Sequence, residues 1–234
     1  VLIDGETFYE GKSITADAFY RKLASDAAVS TSLPSPGDVM DMWASLLRDY
    51  REVVYIPMSS GLSTSCASAL ALASEGDFEG RVHVVDNHRI SVTQTQSVLD
   101  AYFLAREGRT GRQIKEQLES EALDASIYIA VDTLKYLKRG GRITPAAAAV
   151  GTVLNLKPVL TIQGDKLDAF AKVRGMKAAF RTMCRAVRKD IDTRFSHLRD
   201  EGVLKLGMAE TDMDEKEFLS WKEKYQKCFP DMEI

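Results

Sequence analysis

No stretch of this chain approaches the ~18 consecutive apolar residues of a membrane-spanning helix, and its opening lacks the basic, apolar and small-residue succession of a signal peptide. Both absences give a cytoplasmic protein as the expectation. Cysteine is scarce. Cys66, Cys184 and Cys228 are an odd set without metal-ligand spacing, which argues against a disulfide framework and fits reduced thiols. The histidines, His83, His88 and His197, are scattered and make no convincing metal site. The balance of 31 Lys+Arg against 34 Asp+Glu leaves a net charge of −3 with no long basic stripe, which argues against nucleic acid as a partner. A small molecule or a protein is expected instead. No Gly-Lys-Ser/Thr phosphate loop is present, so nothing points to an autonomous kinase. There is no internal repeat, low-complexity stretch or long linker.

What is present is an alternation of short apolar runs and amphipathic stretches over 234 residues, enough for one large core or two smaller ones. Residues 1–11 read as a short hairpin around Gly5. Thr15 suits a helix cap, and Ser35-Pro36-Gly37-Asp38 has a capping-box pattern with Pro at the first helical position. The helix it opens is expected to bury Val39, Met42, Trp43, Leu46 and Leu47. A strand over 53–58, a helix over about 65–75, a strand over 82–85, and a helix through Val98, Leu99, Tyr102, Phe103 and Leu104 follow. Thr110 opens a further capped helix, and residues 127–131 form a buried strand. This succession predicts an α/β fold with a mostly parallel sheet flanked by helices. From about residue 144 the pattern changes. A small-residue helix from Ala146 to about Val153 leads to strands over 157–162 and 167–171 around Gln163-Gly164-Asp165-Lys166. A long amphipathic helix through Ala178, Met183, Val187 and Ile191, a strand over 203–208, and a helix around Phe218, Trp221 and Tyr225 complete the chain. The expected division is therefore 1–143, with an N-terminal hairpin that packs apart from it, and 144–234, an α+β domain with a largely antiparallel sheet.

Two hydroxyl-rich segments carry the chemical signal: Thr31-Ser32-Leu33-Pro34-Ser35-Pro36 and Ser59-Ser60-Gly61-Leu62-Ser63-Thr64. The second follows an apolar strand and precedes a small-residue helix, so it enters that helix with unpaired backbone N–H groups and the positive end of the dipole. Hydroxyls and amides aimed at one point suit an anion such as a carboxylate. Helix caps and turns explain any one such hydroxyl equally well. Asp86, in Asp86-Asn87-His88-Arg89-Ile90-Ser91, lies at a second strand-to-helix junction, where open sheets bind ligands.

These segments, with Leu134-Lys135-Tyr136-Leu137-Lys138-Arg139-Gly140-Gly141-Arg142-Ile143, Leu154-Asn155-Leu156-Lys157-Pro158-Val159-Leu160 and Lys172-Val173-Arg174-Gly175, stand in the order and spacing of a known family. The chain resembles the DegV family, bacterial fatty-acid-binding proteins that present acyl chains to a fatty acid kinase. The resemblance implies that Thr31 and Ser63 hold a fatty acid carboxylate, with Ser32, Ser60 and Gly61 as the supporting loop. The long-chain fatty acid would be the ligand, lying between the two domains, with no cofactor and no metal. A separate fatty acid kinase would be the partner, and transient contact with a membrane surface belongs to the same expectation. Two departures stand out: Leu62-Ser63-Thr64-Ser65-Cys66 replaces the family's Leu-Ser-Gly-Thr-Tyr, and Leu33 stands where Gln is usual. The family's first strand, with its Asp-Ser pair, and its closing Gly-Pro-Gly stretch have no counterpart here, so the chain reads as truncated at both ends.

Lys138 and Arg139, followed by glycine, have the ordinary form of a helix stop. Arg142 and Arg174 fall beyond helix ends, and the resemblance places both on the face that meets the kinase, where arginine can pair acidic or phosphate groups in bidentate fashion. A competing enzyme reading remains open. Gly61-Leu62-Ser63-Thr64-Ser65 approximates a nucleophile elbow, which would make the protein a serine hydrolase acting on an ester or acyl substrate through Ser63, with His197 the only histidine late enough in the chain to serve it.

Overall fold

Asp4 and Gly5 both adopt positive φ, 50° and 87°, the backbone form whose twist suits a two-residue hairpin turn. In this computed structural model, which describes residues 1–149, 156–162 and 166–234, they join β1 (Leu2–Ile3) to β2 (Glu6–Thr7). The Thr15 hydroxyl accepts from the Ala18 amide and starts α1 (Ala16–Ala24). The chain then returns as β3 (Val29–Ser30) on the other side of β1. These elements belong to a compact unit made of Val1–Pro34 and Met208–Ile234.

The second unit, Ser35–Gly207, opens with α2 (Pro36–Asp49), capped by Ser35 Oγ at 3.1 Å from the Asp38 amide. It continues through β4 (Val53–Tyr55), α3 (Ser65–Ala73), β5 (Val82–Val84), α4 (Ser91–Arg106) and α5 (Gly111–Ser120). β4 and β5 pair in parallel. Side chains alternate across this sheet, as strand geometry requires. Val53, Tyr55, Val82 and Val84 join Trp43 of α2 and Cys66 and Ala69 of α3 on one face. Val54, Ile56 and Val85 join Ala101 of α4 and Ile114 and Leu118 of α5 on the other. Trp43 is fully buried and meets Tyr55 and Phe78 edge to face, with ring centroids 5.2 and 5.5 Å away.

β6 (Ile127–Ala130) leads through α6 (Lys135–Gly140) and α7 (Pro145–Ala148) to β7 (Leu156–Ile162) and β8 (Asp168–Arg174). β7 lies between β6 and β8, antiparallel to both. The expected boundary at 143–144 therefore falls inside the second unit, because this sheet takes strands from both sides of it. Leu134, Ile143, Ala147, Leu160, Ile162 and Leu167 form its core. The long α8 (Met176–Asp192) is held to β6 by a buried carboxylate: Asp190 Oδ2 accepts from Ser126 Oγ at 2.6 Å and Tyr128 Oη at 2.8 Å. Burial, and then Asp190, raise the Tyr128 phenol far above its ordinary value. After α9 (Ser196–Asp200), the chain re-enters the first unit and ends in α10 (Glu215–Cys228), whose first turn is capped by Asp214 Oδ1.

Several expectations are corrected. The strand expected over 53–58 ends at Tyr55, because Ile56 O accepts from Gln94 Nε2 and Pro57 has no N–H to offer. No strand forms over 203–208; Leu204, Leu206 and Met208 are half-buried in alternation, yet the amides of Val203 and Leu204 both turn back to the Leu198 carbonyl. On α2, Val39 and Trp43 are buried, whereas Met42 and Leu46 are exposed because they lie off the stripe that faces the sheet. On α4 the buried face is Ser97 and Ala101, and Val98, Leu99, Tyr102 and Phe103 are exposed. α7 is described to Ala148; the expected continuation to Val153, Leu154-Asn155 and the 163–165 turn lie outside the described residues. Among the described residues, no helix is long and apolar enough to cross a membrane.

One polar contact fastens three elements of the second unit. Glu52 accepts from the Gly111 amide at 3.0 Å and meets His83 Nε2 at 3.2 Å. A Cβ at Gly111 would sit 2.3 Å from His83 Cδ2. Gly111→Ala should therefore lower stability by about 1–3 kcal/mol, as overpacking does, and lose most of that penalty when His83 is also changed to Ala. The Gly111 amide, followed by His83, holds the Glu52 carboxyl below its ordinary 4.5 despite partial burial. Its stabilisation is thus complete above about pH 4.5 and lost as pH falls through the lowered folded value. Denaturant melts of Glu52→Gln should show lower stability at neutral pH and a shallower loss between about pH 5 and 3.

Candidate functional site

Both loops at the carboxyl ends of β4 and β5 turn on Ser59, which is 1% exposed. Its amide donates to the Arg89 carbonyl at 3.0 Å, tying the first loop to the second. Its carbonyl accepts from the amides of Leu62 and Ser63, and its hydroxyl accepts from the Gly61 amide at 3.2 Å. The turn is therefore closed by backbone and side chain together. Leu62 from the first loop and Ile90 from the second pack against the core under β6 to β8, so each loop has an apolar anchor as well.

Ser63 is half-buried just ahead of α3. Its Oγ accepts from the Ser65 amide at 3.1 Å and lies 2.7 Å from Ser65 Oγ. Thr64, the formal cap, makes no side-chain cap bond, so Ser63 satisfies a helix-terminal N–H from one position earlier. Either hydroxyl of the 2.7 Å pair can donate. With Ser65 as donor, Ser63 directs its own proton outward while its oxygen is polarised by two donors. That arrangement equips a neutral hydroxyl to grip an anion at a helix N-terminus.

Around the turn, the Ser60 amide donates to Asp86 Oδ1 at 3.4 Å, and Ser60 Oγ lies 3.4 Å from His88 Nδ1. His88 Nδ1 is also 3.8 Å from Asp86 Oδ1. The Asp86 amide donates to Glu119 Oε1 at 2.9 Å, and burial, followed by Asp86, pushes the Cys66 thiol up to about 11. His88 and Ser91 adopt positive φ, 57° and 50°, an uncommon form for residues with a Cβ. Behind them, Asn87 Nδ2 and Arg89 Nη1 both donate to the buried Ser97 Oγ, and Arg89 Nη2 donates to the Glu121 carbonyl at 2.6 Å. Burial lowers the Arg89 pKa. A small pocket lined by His88, Arg89, Thr93, Ser126, Ile127 and Ile162 opens alongside.

Ser60, Gly61 and Ser63 thus share one turn, and Asp86, singled out from the sequence, borders it. His88, Asn87, Arg89 and Ser97 were not singled out. The polar run Asp86-Asn87-His88-Arg89 marks that junction in the sequence but does not report which of its side chains meets the turn, and Ser97 lies outside it in α4. Thr31 and Ser32 are exposed in the first unit, beyond β3. Lys138 and Arg139 occupy the last turn of α6, which ends at Gly141 with φ 69°, an ordinary helix stop. Arg142 and Arg174 are both exposed but lie at opposite ends of β8: the Arg142 carbonyl accepts from the Leu167 amide just before the strand, and Arg174 closes it. At strand rise they are roughly 20 Å apart.

The hydrolase geometry does not assemble. Among the described residues, Ser63 Oγ meets Ser65 rather than a histidine, and His197 lies in α9. His88 turns the same ring nitrogen towards both Ser60 and Asp86, whereas a triad needs one nitrogen on the nucleophile and the other on the acid. Among the described residues, no group of three or more His, Cys, Asp or Glu could hold a metal ion.

Comparison with known proteins agrees with this architecture. The family model described as "Uncharacterised protein, DegV family" matches residues 1–234. A DegV domain-containing protein of Deinococcus radiodurans is 36% identical over 190 residues, which are 81% of this chain and 67% of that protein. The solved structure of a fatty-acid-binding DegV family protein from Thermus thermophilus shares 34% identity with a TM-score of 0.71, covering 80% of this chain and 66% of that one. DegV of Bacillus subtilis, described as a fatty acid binding protein, shares 25% identity with a TM-score of 0.77, covering 99% of this chain and 80% of that one. The chain spans about two thirds of the length of the curated relatives it matches. With the family model matched over its entire length and a relative 36% identical over most of it, the chain belongs to the DegV family.

Proposed function

We propose that this chain binds a long-chain fatty acid, with Ser63 and Thr31 as the hydroxyls that orient its carboxylate, and presents that carboxylate to a separate fatty acid kinase without performing catalysis itself. The observation that carries the reading is the Ser59-closed turn, which fixes the half-buried Ser63 hydroxyl at the start of α3, its oxygen accepting from the Ser65 amide. Its support from relatives is that solved DegV structures of Thermus thermophilus and Bacillus subtilis are described as fatty-acid-binding. Thr31 joins the assignment through the family motif it occupies; Ser60 and Gly61 shape the turn, and Ser32 flanks Thr31.

Energetically the tail and the head have separate tasks. Burying ~14 methylenes at about 0.8 kcal/mol each yields roughly 11 kcal/mol before association costs. The hydroxyls add roughly 0.5–1.5 kcal/mol per net hydrogen bond, more towards an ionised acceptor. Orientation is therefore their larger contribution, and a neutral grip leaves the carboxylate oxygen nucleophilic for an incoming phosphoryl group. Arg142 and Arg174 are proposed as two separated kinase contacts, since one compact patch does not include both ends of β8.

The tail term implies that protein purified from a bacterial host carries close to one long-chain fatty acid per chain. Mass spectrometry of organic extracts checks this; clean extracts that stay unliganded after addition of palmitate or oleate would remove the lipid reading. Ser63→Ala and Thr31→Val should each reduce acyl phosphorylation by a fatty acid kinase about tenfold while changing fatty acid retention by about threefold or less. Complete lipid loss with normal phosphorylation of the remainder would contradict the division between tail and head. Arg142→Glu and Arg174→Glu should keep fold and lipid yet weaken kinase coupling in a salt-dependent way. Arg139→Glu, a helix-end change worth about 0.3–1 kcal/mol of stability, should leave coupling unaltered; titration of all three with kinase across salt concentrations decides the assignment.

A further inference from the structure

We propose that His88 is the positioning residue that lets the Ser59–Ser63 turn accept a carboxylate beside Asp86, an inference that rests on the fatty-acid reading above. The difficulty it resolves is electrostatic. Asp86 Oδ1 is fixed at the turn by the Ser60 amide, and a second carboxylate, Glu119 of α5, accepts from the Asp86 amide. An incoming anion beside such a pair meets like-charge repulsion. The surrounding groups relieve it unequally. Lys115 of α5 is occupied with Glu119 and the Val84 carbonyl. Arg89 directs its terminal nitrogens to Ser97 and the Glu121 carbonyl. Cys66 of α3, hydrogen-bonded to Asp86, stays a neutral thiol. His88 brings Nδ1 to 3.8 Å from Asp86 Oδ1, an ion pair whenever the imidazole carries its second proton.

Its placement suits the task. Nδ1 stands 3.4 Å from Ser60 Oγ and 3.8 Å from Asp86 Oδ1, while the side chain is 35% exposed and reaches solvent. The ring thereby meets both the Ser60 hydroxyl and the Asp86 carboxylate through one nitrogen while keeping part of its surface in solvent. The positive φ of His88 and Ser91 bends the loop twice within four residues. Strain of this kind persists where surrounding contacts over-determine it, and it gathers at ligand sites. Here Ser59 N–H on the Arg89 carbonyl and Ile90 in the core supply those contacts.

The test compares palmitate with hexadecanol, which share a tail and differ in head charge, on the whole chain. The parent should prefer the acid. His88→Asn, whose new residue tolerates positive φ, should reduce the acid-to-alcohol affinity ratio about five- to tenfold while alcohol binding is unchanged. His88→Gly should do the same, and because glycine relieves the backbone, a shared effect separates ring loss from misfolding. In an Asp86→Asn background the added His88→Asn effect should shrink to about twofold or less, the signature of coupled groups. An unchanged ratio in both His88 variants, or an undiminished effect without Asp86, overturns the inference while lipid binding stands. A parent that binds neither lipid overturns the fatty-acid reading and this inference together.

Discussion

The buried Ser59 supplies the constraint on which the candidate site depends. Its amide, carbonyl and hydroxyl each fix something different: the amide sets the spacing between two loops, the carbonyl closes the turn onto Leu62 and Ser63, and the hydroxyl holds Gly61. A longer side chain would find no room at 1% exposure, and an apolar one would leave the Gly61 amide without this acceptor. The Ser63 hydroxyl is then preorganised rather than ordered on binding, which spares the entropy of fixing it when a ligand arrives.

Three apolar cores form among the described residues of the second unit, and the division of labour between them is chemical. The faces of the parallel pair are ordinary apolar layers, set by alternation along β4 and β5. The third core, beneath β6 to β8, reaches out to Leu62 and Ile90 and so belongs partly to the loops themselves. Polar interior contacts are kept for junctions: Asp190 between α8 and β6, Glu52 across three elements, and Ser97 beneath the second loop. Each satisfies buried groups that neighbouring backbone leaves over.

What the sequence made legible were features with short-range causes. Thr15, Ser35 and Thr110 cap helices as their spacing implies, since the cap bond spans three residues. The α/β class with a second, antiparallel sheet follows from the alternation of elements and is the architecture observed. Pairing partners were harder: an apolar run such as Ile127–Ala130 reads alike whether its neighbour lies parallel or antiparallel, and the partner of β6 stands past two helices. Residues 203–208 kept their period of two without a ladder, because alternation records which face is buried and not whether a strand lies alongside. Ser63 and Asp86 were visible as residues at strand-to-helix junctions. His88 was not, because its contact with Ser60 depends on a positive φ that no pattern of polarity reports.

The first unit is assembled from the two terminal stretches of the chain, with the whole second unit inserted between them. On a ribosome, residues 35–207 emerge and can collapse before Met208–Ile234 exist as peptide, so the second unit is the one able to fold during synthesis. Joining stretches so distant in sequence carries a loop-closure cost that an already folded insert reduces by bringing its own ends to fixed positions. The topology thus separates the two proposed head-group hydroxyls: the surroundings of Ser63 lie within residues 35–207, whereas the unit that holds Thr31 also needs residues from Met208 onward.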